Sequence, residues 1–452
     1  MHIVLATLEY PTESYRAGGM GWAFFKIAQG LRQRGHAVSV LVRSDRKETF
    51  TDALGIVVRR YPVRAYLPKR LQTALAWRFP LGAMAYDEAR SLYDALDEVA
   101  RETSFDVVLA AAAPDSYFAA GSGRWPYVCR ISSHRLLIVI SNLFPVGPGF
   151  LFEEWMKVAA CRHAHGRFAP SNLLAGIFAS LGCGATRRIL TPMELTEPVA
   201  QLEDAPTRYL LFYGSLQGTK GAHLLADALV RVLEHYSDVH MVWIGRDLVA
   251  PDFGSITEYV RHCLAPFAER VRILGVLEQP EALRWVMNAD WVLFPSIMDN
   301  LPNALLEAMW FSRPVIVTRE SGVDELIEDQ RNGLVIDRND VTALIEGLER
   351  ALTMGPEARE RLGREARRTV LEKCNPSRSA EGVESLLVEV VERHGRIRRA
   401  DIRTAARMFW LKAQWGGRVA RILRIPVSAA DRRKVRELGR RYLPGVPLRF
   451  AK

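Results

Sequence analysis

The sequence predicts an α/β protein: parallel sheets in two successive units, followed by a basic helical extension. Three observations predict it. Short apolar runs of strand length alternate with longer amphipathic segments up to about residue 395, the pattern of a parallel sheet covered on both faces. The alternation breaks once, at the proline- and acid-rich stretch PMELTEPVAQLEDAP, residues 192–206, which reads as a linker between units. The net charge of +10 is unevenly placed, because residues 396–452 carry 17 Lys and Arg against three acids. The rest carries 44 basic and 48 acidic groups, so the basicity belongs to the extension.

In the first unit, residues 2–7 form a strand and residues 8–18 a polar loop with Glu9, Pro11 and Arg16. Gly18-Gly19 opens a helix over 20–34, with Trp22, Phe25, Ile27, Ala28 and Leu31 near helical spacing, and Gly35 ends it. A strand over 37–42 completes a βαβ unit whose glycines let a helix start approach a phosphate or sugar. Further strands are expected at 56–60, 106–111, 127–131 and 168–169, with a helix over 85–102. Ser132-Ser133-His134 then falls at the carboxyl edge of a strand, where open α/β sheets bind ligands. His163 and His165, two apart on an expected helix, point to different faces and read as structural.

The second unit begins with a strand over 208–214, a glycine-bounded turn SLQGTKG over 215–221, and a helix from about Ala222. Strands at 239–245 and 271–274 follow. The stretch Pro295–Glu325, PSIMDNLPNALLEAMWFSRPVIVTRESGVDE, is entered by the apolar strand 291–294 and contains a helix over 302–311 and a strand over 314–318. Asp299 precedes that helix and Glu307 lies two turns in. Eight residues rotate a helix by about 80° beyond full turns and advance it about 12 Å, so the two carboxylates face one cleft but grip different parts of a long ligand. Between them, the unpaired N–H groups of the helix start, at Leu301 and Asn303, offer an anion site. On spacing alone, a helix cap and a solvated carboxylate explain the same residues.

The run D-N-L-P-N-A-L-L-E-A-M, then R-P-V-I-V-T, S-G-V-D-E-L-I and N-G-L-V-I, resembles the donor-sugar segment of the family 4 glycosyltransferases. The resemblance implies two Rossmann-like domains facing across a cleft, the GT-B fold, with retention of anomeric configuration and a nucleotide-sugar donor of UDP or GDP type. It implies domains at 1–198, for the acceptor, and 199–376, for the donor, with a helix over 377–395 crossing back onto the first. By the same resemblance Glu307 binds ribose hydroxyls, Asp299 the sugar, and Lys220, Leu301, Asn303 and Gly19 the diphosphate region, Asn300 belongs to the donor-binding set, and Glu325 lines the donor pocket. Asp299 stands where the family usually has Glu. Ser215 stands where the family usually has an Arg, so the phosphate charge must lean on Lys220, the helix start or an Arg from elsewhere. A histidine contacting the transferred sugar corresponds either to His134 or, two residues earlier, to Ser132. Lys220, Asp299 and His134 are the implied catalytic residues. No D-x-D occurs, in keeping with a metal-independent enzyme, and the nucleotide sugar is a substrate, so no cofactor is expected.

The extension carries Met408, Leu411 and Trp415 at i, i+3 and i+7, with Ile402, Ala405 and Phe409 on an overlapping face and Arg403, Arg407 and Lys412 beside them. Gly416-Gly417 interrupts it and residues 432–441 can form a second basic helix. Three readings stand: an interfacial helix on an anionic membrane, an arm packed on the protein's own body, and an RNA-binding arm, of which the membrane is favoured and nucleic acid disfavoured. Cys129, Cys161, Cys183, Cys263 and Cys374 are scattered and odd in number, as suits a reducing compartment. The apolar run 136–152 is broken by prolines and glycines, so no spanning helix is expected and the protein is placed in the cytoplasm or peripherally on the inner membrane face. The expected acceptor is a sugar, a lipid-linked sugar or a glycan, in polysaccharide, glycolipid or other glycan biosynthesis. The competing readings are a non-catalytic scaffold of the same fold and an epimerase or hydrolase relative.

Overall fold

The computed structural model describes residues 1–12, 18–196, 202, 204–250, 254–395, 407–408, 410–415, 418–419 and 429–442. The strands run β1 (His2–Thr7), β2 (Ala37–Arg43), β3 (Glu48–Thr51), β4 (Val57–Tyr61), β5 (Val107–Ala111), β6 (Tyr127–Arg130), β7 (Gly166–Ala169) and β8 (Arg187–Arg188). They continue as β9 (Tyr209–Tyr213), β10 (His240–Ile244), β11 (Val249–Ala250), β12 (Gly254–Ser255), β13 (Val271–Gly275), β14 (Trp291–Phe294), β15 (Val315–Thr318) and β16 (Leu334–Ile336).

Two sheets result. The first has the order β3-β4-β2-β1-β5-β6-β7-β8, and the second β13-β10-β9-β14-β15-β16. Every pairing in them is parallel except β3 with β4. In both sheets the first strand sits mid-sheet, β1 between β2 and β5 and β9 between β10 and β14. The connections turn opposite ways there and open a crevice at the carboxyl ends of those strands. The expected α/β architecture of two parallel sheets is therefore the one observed.

Burial explains the elements. All residues of β5, β14 and β15 are buried, as befits strands covered by helices on both faces. Helix Ala222–His235 buries Leu225, Ala226, Leu229, Val232 and Leu233, one stripe at helical period. Each such aliphatic contributes about 1.5–3 kcal/mol when fully buried. Helix Pro376–Gly395 lays Val383, Leu386, Leu387 and Val390 against the first sheet, in one core with Ile3, Leu5 and Leu31 of the opening βαβ unit.

Five strands escaped the sequence reading, among them the two-residue strands β11 and β12. β3 is an exposed antiparallel edge with little apolar content, β8 has two residues, and β16 is a three-residue strand. His165 is not helical: helix Pro148–His163 ends before it, and the His165 Nδ1 accepts from the Tyr127 N–H at 3.2 Å. Its ring meets the His394 ring at 4.8 Å, a packing role.

The extension departs most from expectation. Met408, Leu411, Trp415 and Val419 are buried in the first unit's core, and helix Ala429–Tyr442 adds Val435 and Leu438 to it. That helix packs against helix Arg135–Ser141. The Tyr117 hydroxyl donates to the Leu411 carbonyl at 3.2 Å. Gly121 is what admits the segment: a Cβ there would lie 2.7 Å from Leu411 Cδ1. The stripe Met408, Leu411 and Trp415 thus faces the protein's own body instead of a membrane. Ile402, Arg403, Ala405, Phe409, Gly416 and Gly417 lie outside the described residues, as does Arg16. Among the described residues no helix is long and apolar enough to cross a membrane.

Candidate functional site

Two loops meet at the carboxyl edge of the second sheet. Residues 215–221 leave β9 and pass through a single turn of 3-10 helix, Gly218–Lys220, into helix Ala222–His235. Gly221 has φ +68°, and a Cβ there would fall 1.9 Å from the Pro295 carbonyl oxygen, so glycine lets this loop seat against the next. Residues 295–302 leave β14, and the Ile297 N–H donates to the Thr219 carbonyl at 2.9 Å. This seating places Lys220 Nζ in an ion pair with Asp299 Oδ2. The two implied catalytic residues of the second unit are therefore in contact, with 20% and 14% of their side chains exposed.

Glu307 lies on helix Asn303–Trp310 and is only 7% exposed. The Gln279 side chain donates to its Oε1 at 3.2 Å, and the Tyr213 hydroxyl also hydrogen-bonds it. Burial pushes the Glu307 carboxyl above its usual range, opposed by the Tyr213 bond and by Lys26. Lys26 is itself lowered by burial, with Glu307 as its main opposing charge. A cavity of about 590 Å³ opens beside Glu307. Gly18, Gly19 and Trp22 of the first unit line it, facing Tyr213, Gly214, Gly245, Arg246, Gln279, Asn303 and Glu307 of the second. Gly19 and Asn303 nearly touch across the cleft: a Cβ on Gly19 would be 3.7 Å from Asn303 Nδ2.

The other sequence-predicted residues are placed differently. The Ser215 hydroxyl accepts from Gln217 Nε2 at 2.8 Å. Leu301 is buried with φ +48° in the loop that leads into the helix. The Asn300 side chain bridges the units: its amide donates to the Ser132 carbonyl at 2.9 Å, and its oxygen accepts from Ser171 Oγ at 2.6 Å. Glu325 does not line the cavity. It caps helix Asn172–Ser180 of the first unit, accepting from the N–H groups of Asn172 and Leu173 at 2.7 and 2.8 Å, and pairs with Arg188 at 3.0 Å. His134 is 1% exposed and caps helix Arg135–Ser141, its Nδ1 accepting from the Leu137 N–H at 3.4 Å. Of the two candidate registers, it is Ser132 that meets the second unit, through its carbonyl and Asn300.

The sequence reading missed Trp22, Lys26, Tyr213, Arg246 and Gln279. Lys26 carried a signal, as the one charge before the last turn of an apolar helix and one turn beyond Trp22. It also missed Arg130, a buried guanidinium whose base strength burial lowers to about 10. Arg130 donates to Ser132 Oγ at 2.6 Å and to Thr191 Oγ1 at 3.2 Å, just beneath the junction with Asn300.

Two sheets, each with its crevice at a strand-order reversal, and one cavity shared between them define a two-domain α/β protein built to enclose a ligand. Residues 18–193 match the glycosyl transferase 4-like domain, and residues 207–354 match glycosyl transferases group 1. Together the two matches cover most of the chain, which belongs to this glycosyltransferase family. A D-inositol 3-phosphate glycosyltransferase of Arthrobacter sp. (strain FB24) is 31% identical over 186 residues, 40% of this chain and 43% of that one. The chain spans less than half the length of the curated relatives it matches. Among solved structures, sucrose-phosphate synthase from Thermosynechococcus elongatus superposes with a TM-score of 0.69 at 17% identity, over 87% of this chain and 99% of that one. Anabaena HepE in complex with UDP-glucose superposes with a TM-score of 0.63 at 17% identity, over 86% and 99%. Both likenesses are of fold, GT-B.

Proposed function

We propose that this protein is a retaining glycosyltransferase that moves a sugar from a UDP- or GDP-type nucleotide sugar to an acceptor hydroxyl in glycan biosynthesis. The observation that carries the reading is the cavity at the ends of β9, β10 and β13, with Glu307 buried in its wall. The Lys220–Asp299 pair is not among its lining residues and sits in the loops after β9 and β14 of the same sheet. In this reading residues 199–376 hold the donor, and residues 1–198 with the returning helix hold the acceptor. HepE, of the same fold, carries UDP-glucose.

The chemistry follows from charge. As the glycosidic bond to phosphate breaks, positive charge grows on the sugar and negative charge on the leaving diphosphate. Lys220 turns from Asp299 to that diphosphate, and the N–H groups at the start of helix Asn303–Trp310 face the same charge. Asp299, released, accepts hydrogen bonds from sugar hydroxyls, and Glu307 accepts them from the ribose. The leaving phosphate itself takes the acceptor proton, so the reading needs neither a resident metal nor a separate carboxylate base. The two units also meet at a polar seam: Thr219 N–H donates to Asn142 Oδ1 at 2.9 Å, and the Thr219 and Ser141 hydroxyls are 2.8 Å apart.

A melting-temperature screen against UDP, GDP, ADP and their common sugar conjugates tests this. One nucleotide should raise the melting point, since a ligand that binds only the folded state stabilises it. Glu307→Gln should abolish that rise and have a second effect. Burial raises the folded pKa of Glu307, so the stability of its protonated form is complete below the ordinary carboxylate range and is lost as pH rises through the folded value. The ligand-free variant should therefore melt higher than wild type at about pH 7 and alike at about pH 4. A well-folded wild type that no nucleotide stabilises would transfer the weight to a scaffold role, and product analysis separates transfer from epimerisation or hydrolysis.

We also propose a peripheral, cytoplasmic-face location, with a lipid-linked acceptor. Support comes from helix Ala429–Tyr442, whose sequence carries Arg432, Arg433, Lys434, Arg436, Arg440 and Arg441 against two acids, Asp431 and Glu437. With the apolar stripe of the extension turned inward, attraction to anionic headgroups must be electrostatic, about 1 kcal/mol per basic residue at the surface. Cosedimentation with phosphatidylserine vesicles should disappear when Arg433, Arg436 and Arg440 become Glu. Equal sedimentation of that variant would end the membrane reading.

A further inference from the structure

Ser215 brings a hydroxyl and no charge to the turn after β9, and the neighbouring strand carries a cation, Arg246. We infer that Arg246 is a donor-binding residue, its guanidinium holding a phosphate of the nucleotide beside Ser215. The inference rests on the transferase reading above and assigns the charge that this reading lacks.

Arg246 follows Gly245 at the carboxyl end of β10, the strand hydrogen-bonded to β9. Its loop is tied to the phosphate loop: the Leu216 N–H donates to the Arg246 carbonyl at 2.8 Å, and the Leu248 N–H donates to the Leu216 carbonyl at 3.2 Å. Adjacent strands lie about 4.8 Å apart, less than an arginine side chain reaches, so the guanidinium can cover the mouth of the turn at Ser215. Arg246 lines the cavity that Gly19, Asn303 and Glu307 also line.

The charge of Arg246 is not engaged elsewhere. It is exposed, and its guanidinium makes no hydrogen bond or ion pair with another described residue. The adjacent acid does not neutralise it, because Asp247 Oδ1 accepts from the Thr257 N–H at 3.0 Å at the start of helix Ile256–Cys263. Glu278 and Glu307 are the acids in the same cavity wall, and Glu307 is held by Gln279 and Tyr213. The planar guanidinium fork matches two phosphate oxygens at once, which a hydroxyl at Ser215 cannot do. Placed between the base-facing loop after β13 and the phosphate-facing loop after β9, Arg246 fits the diphosphate more closely than the base.

Calorimetric titration of the full chain with UDP, GDP, ADP, their nucleosides and inorganic pyrophosphate tests the assignment. Arg246→Gln should weaken the nucleoside diphosphate and pyrophosphate by about ten- to a hundredfold, the range for a charged hydrogen bond. It should leave nucleoside affinity and the ligand-free melting point unchanged, since the guanidinium has no protein partner to lose. Arg246→Lys should recover part of the loss. Diphosphate binding as tight in Arg246→Gln as in wild type, or an equal loss for the nucleoside, overturns the inference while leaving the transferase reading intact. A wild type that takes none of the nucleotides and no pyrophosphate overturns both.

Discussion

Lys220→Ala is expected to lower turnover of the nucleotide sugar by about 10²–10³-fold, the usual result of removing one preorganised group aimed at charge that develops in the transition state. Lys220 is placed for this by backbone. It ends the 3-10 turn Gly218–Lys220, Gly221 behind it is pinned on Pro295, and the Thr219 carbonyl accepts from Ile297. To meet a phosphate, the ammonium has to leave its pair with Asp299. That pair is mostly buried, so the substitution also leaves Asp299 without its cation, and the melting point is to be measured alongside turnover. Asp299→Asn provides the contrast: it breaks the same pair but keeps the cation. If Lys220 serves the leaving phosphate, Asp299→Asn should mainly raise KM through lost sugar contacts, while Lys220→Ala should mainly lower kcat. Release of nucleoside diphosphate from the donor identified in the melting screen measures both. Near-normal kcat in Lys220→Ala would remove it from the chemistry.

The chain's own pattern carried the strands that lie between helices. β1, β14 and the other central strands are continuous apolar runs, and such runs have few alternatives. β3 was hidden because an exposed antiparallel edge needs no apolar residues. Lys220 and Asp299 were singled out through two separate motifs, each at a strand's carboxyl end in the same sheet, but their ion pair was not foreseen. Glu325 was not, because spacing shows that a carboxylate is near a site but not that a helix start from the other unit will claim it. His134 shows the same limit: a histidine in a loop after a strand reads as exposed, and only the fold reveals that the next helix buries it as a cap. Arg246 went unread for a different reason. Nothing in one strand's sequence says which strand will lie beside it, and the residue gains its meaning from β10 pairing with β9.

The extension gives the second large expected effect. Trp415→Ala should cost about 3–5 kcal/mol of stability, the range for truncating a buried aromatic. Trp415 is 5% exposed, with its ring 4.4 Å from the Tyr86 ring and 6.0 Å from the Phe152 ring, inside the first unit's core. Trp410, five residues earlier and 49% exposed, is the internal control, and Trp410→Ala should fall within about 0.5 kcal/mol of wild type. The helical spacing of Met408, Leu411 and Trp415 is the same whether the stripe meets lipid or protein, so periodicity alone cannot choose between them. Gly121 can: a residue without a side chain on helix Ser116–Ser122, set where Leu411 enters, marks a surface shaped to receive the segment. Deleting residues 396–452 should accordingly uncover Tyr86, Phe118 and Phe152 and lower the melting point at least as far as Trp415→Ala. Equal melting of wild type, Trp415→Ala and the truncated chain would mean that the extension is not part of the first unit's core. Its stripe would then be available for a surface outside the protein.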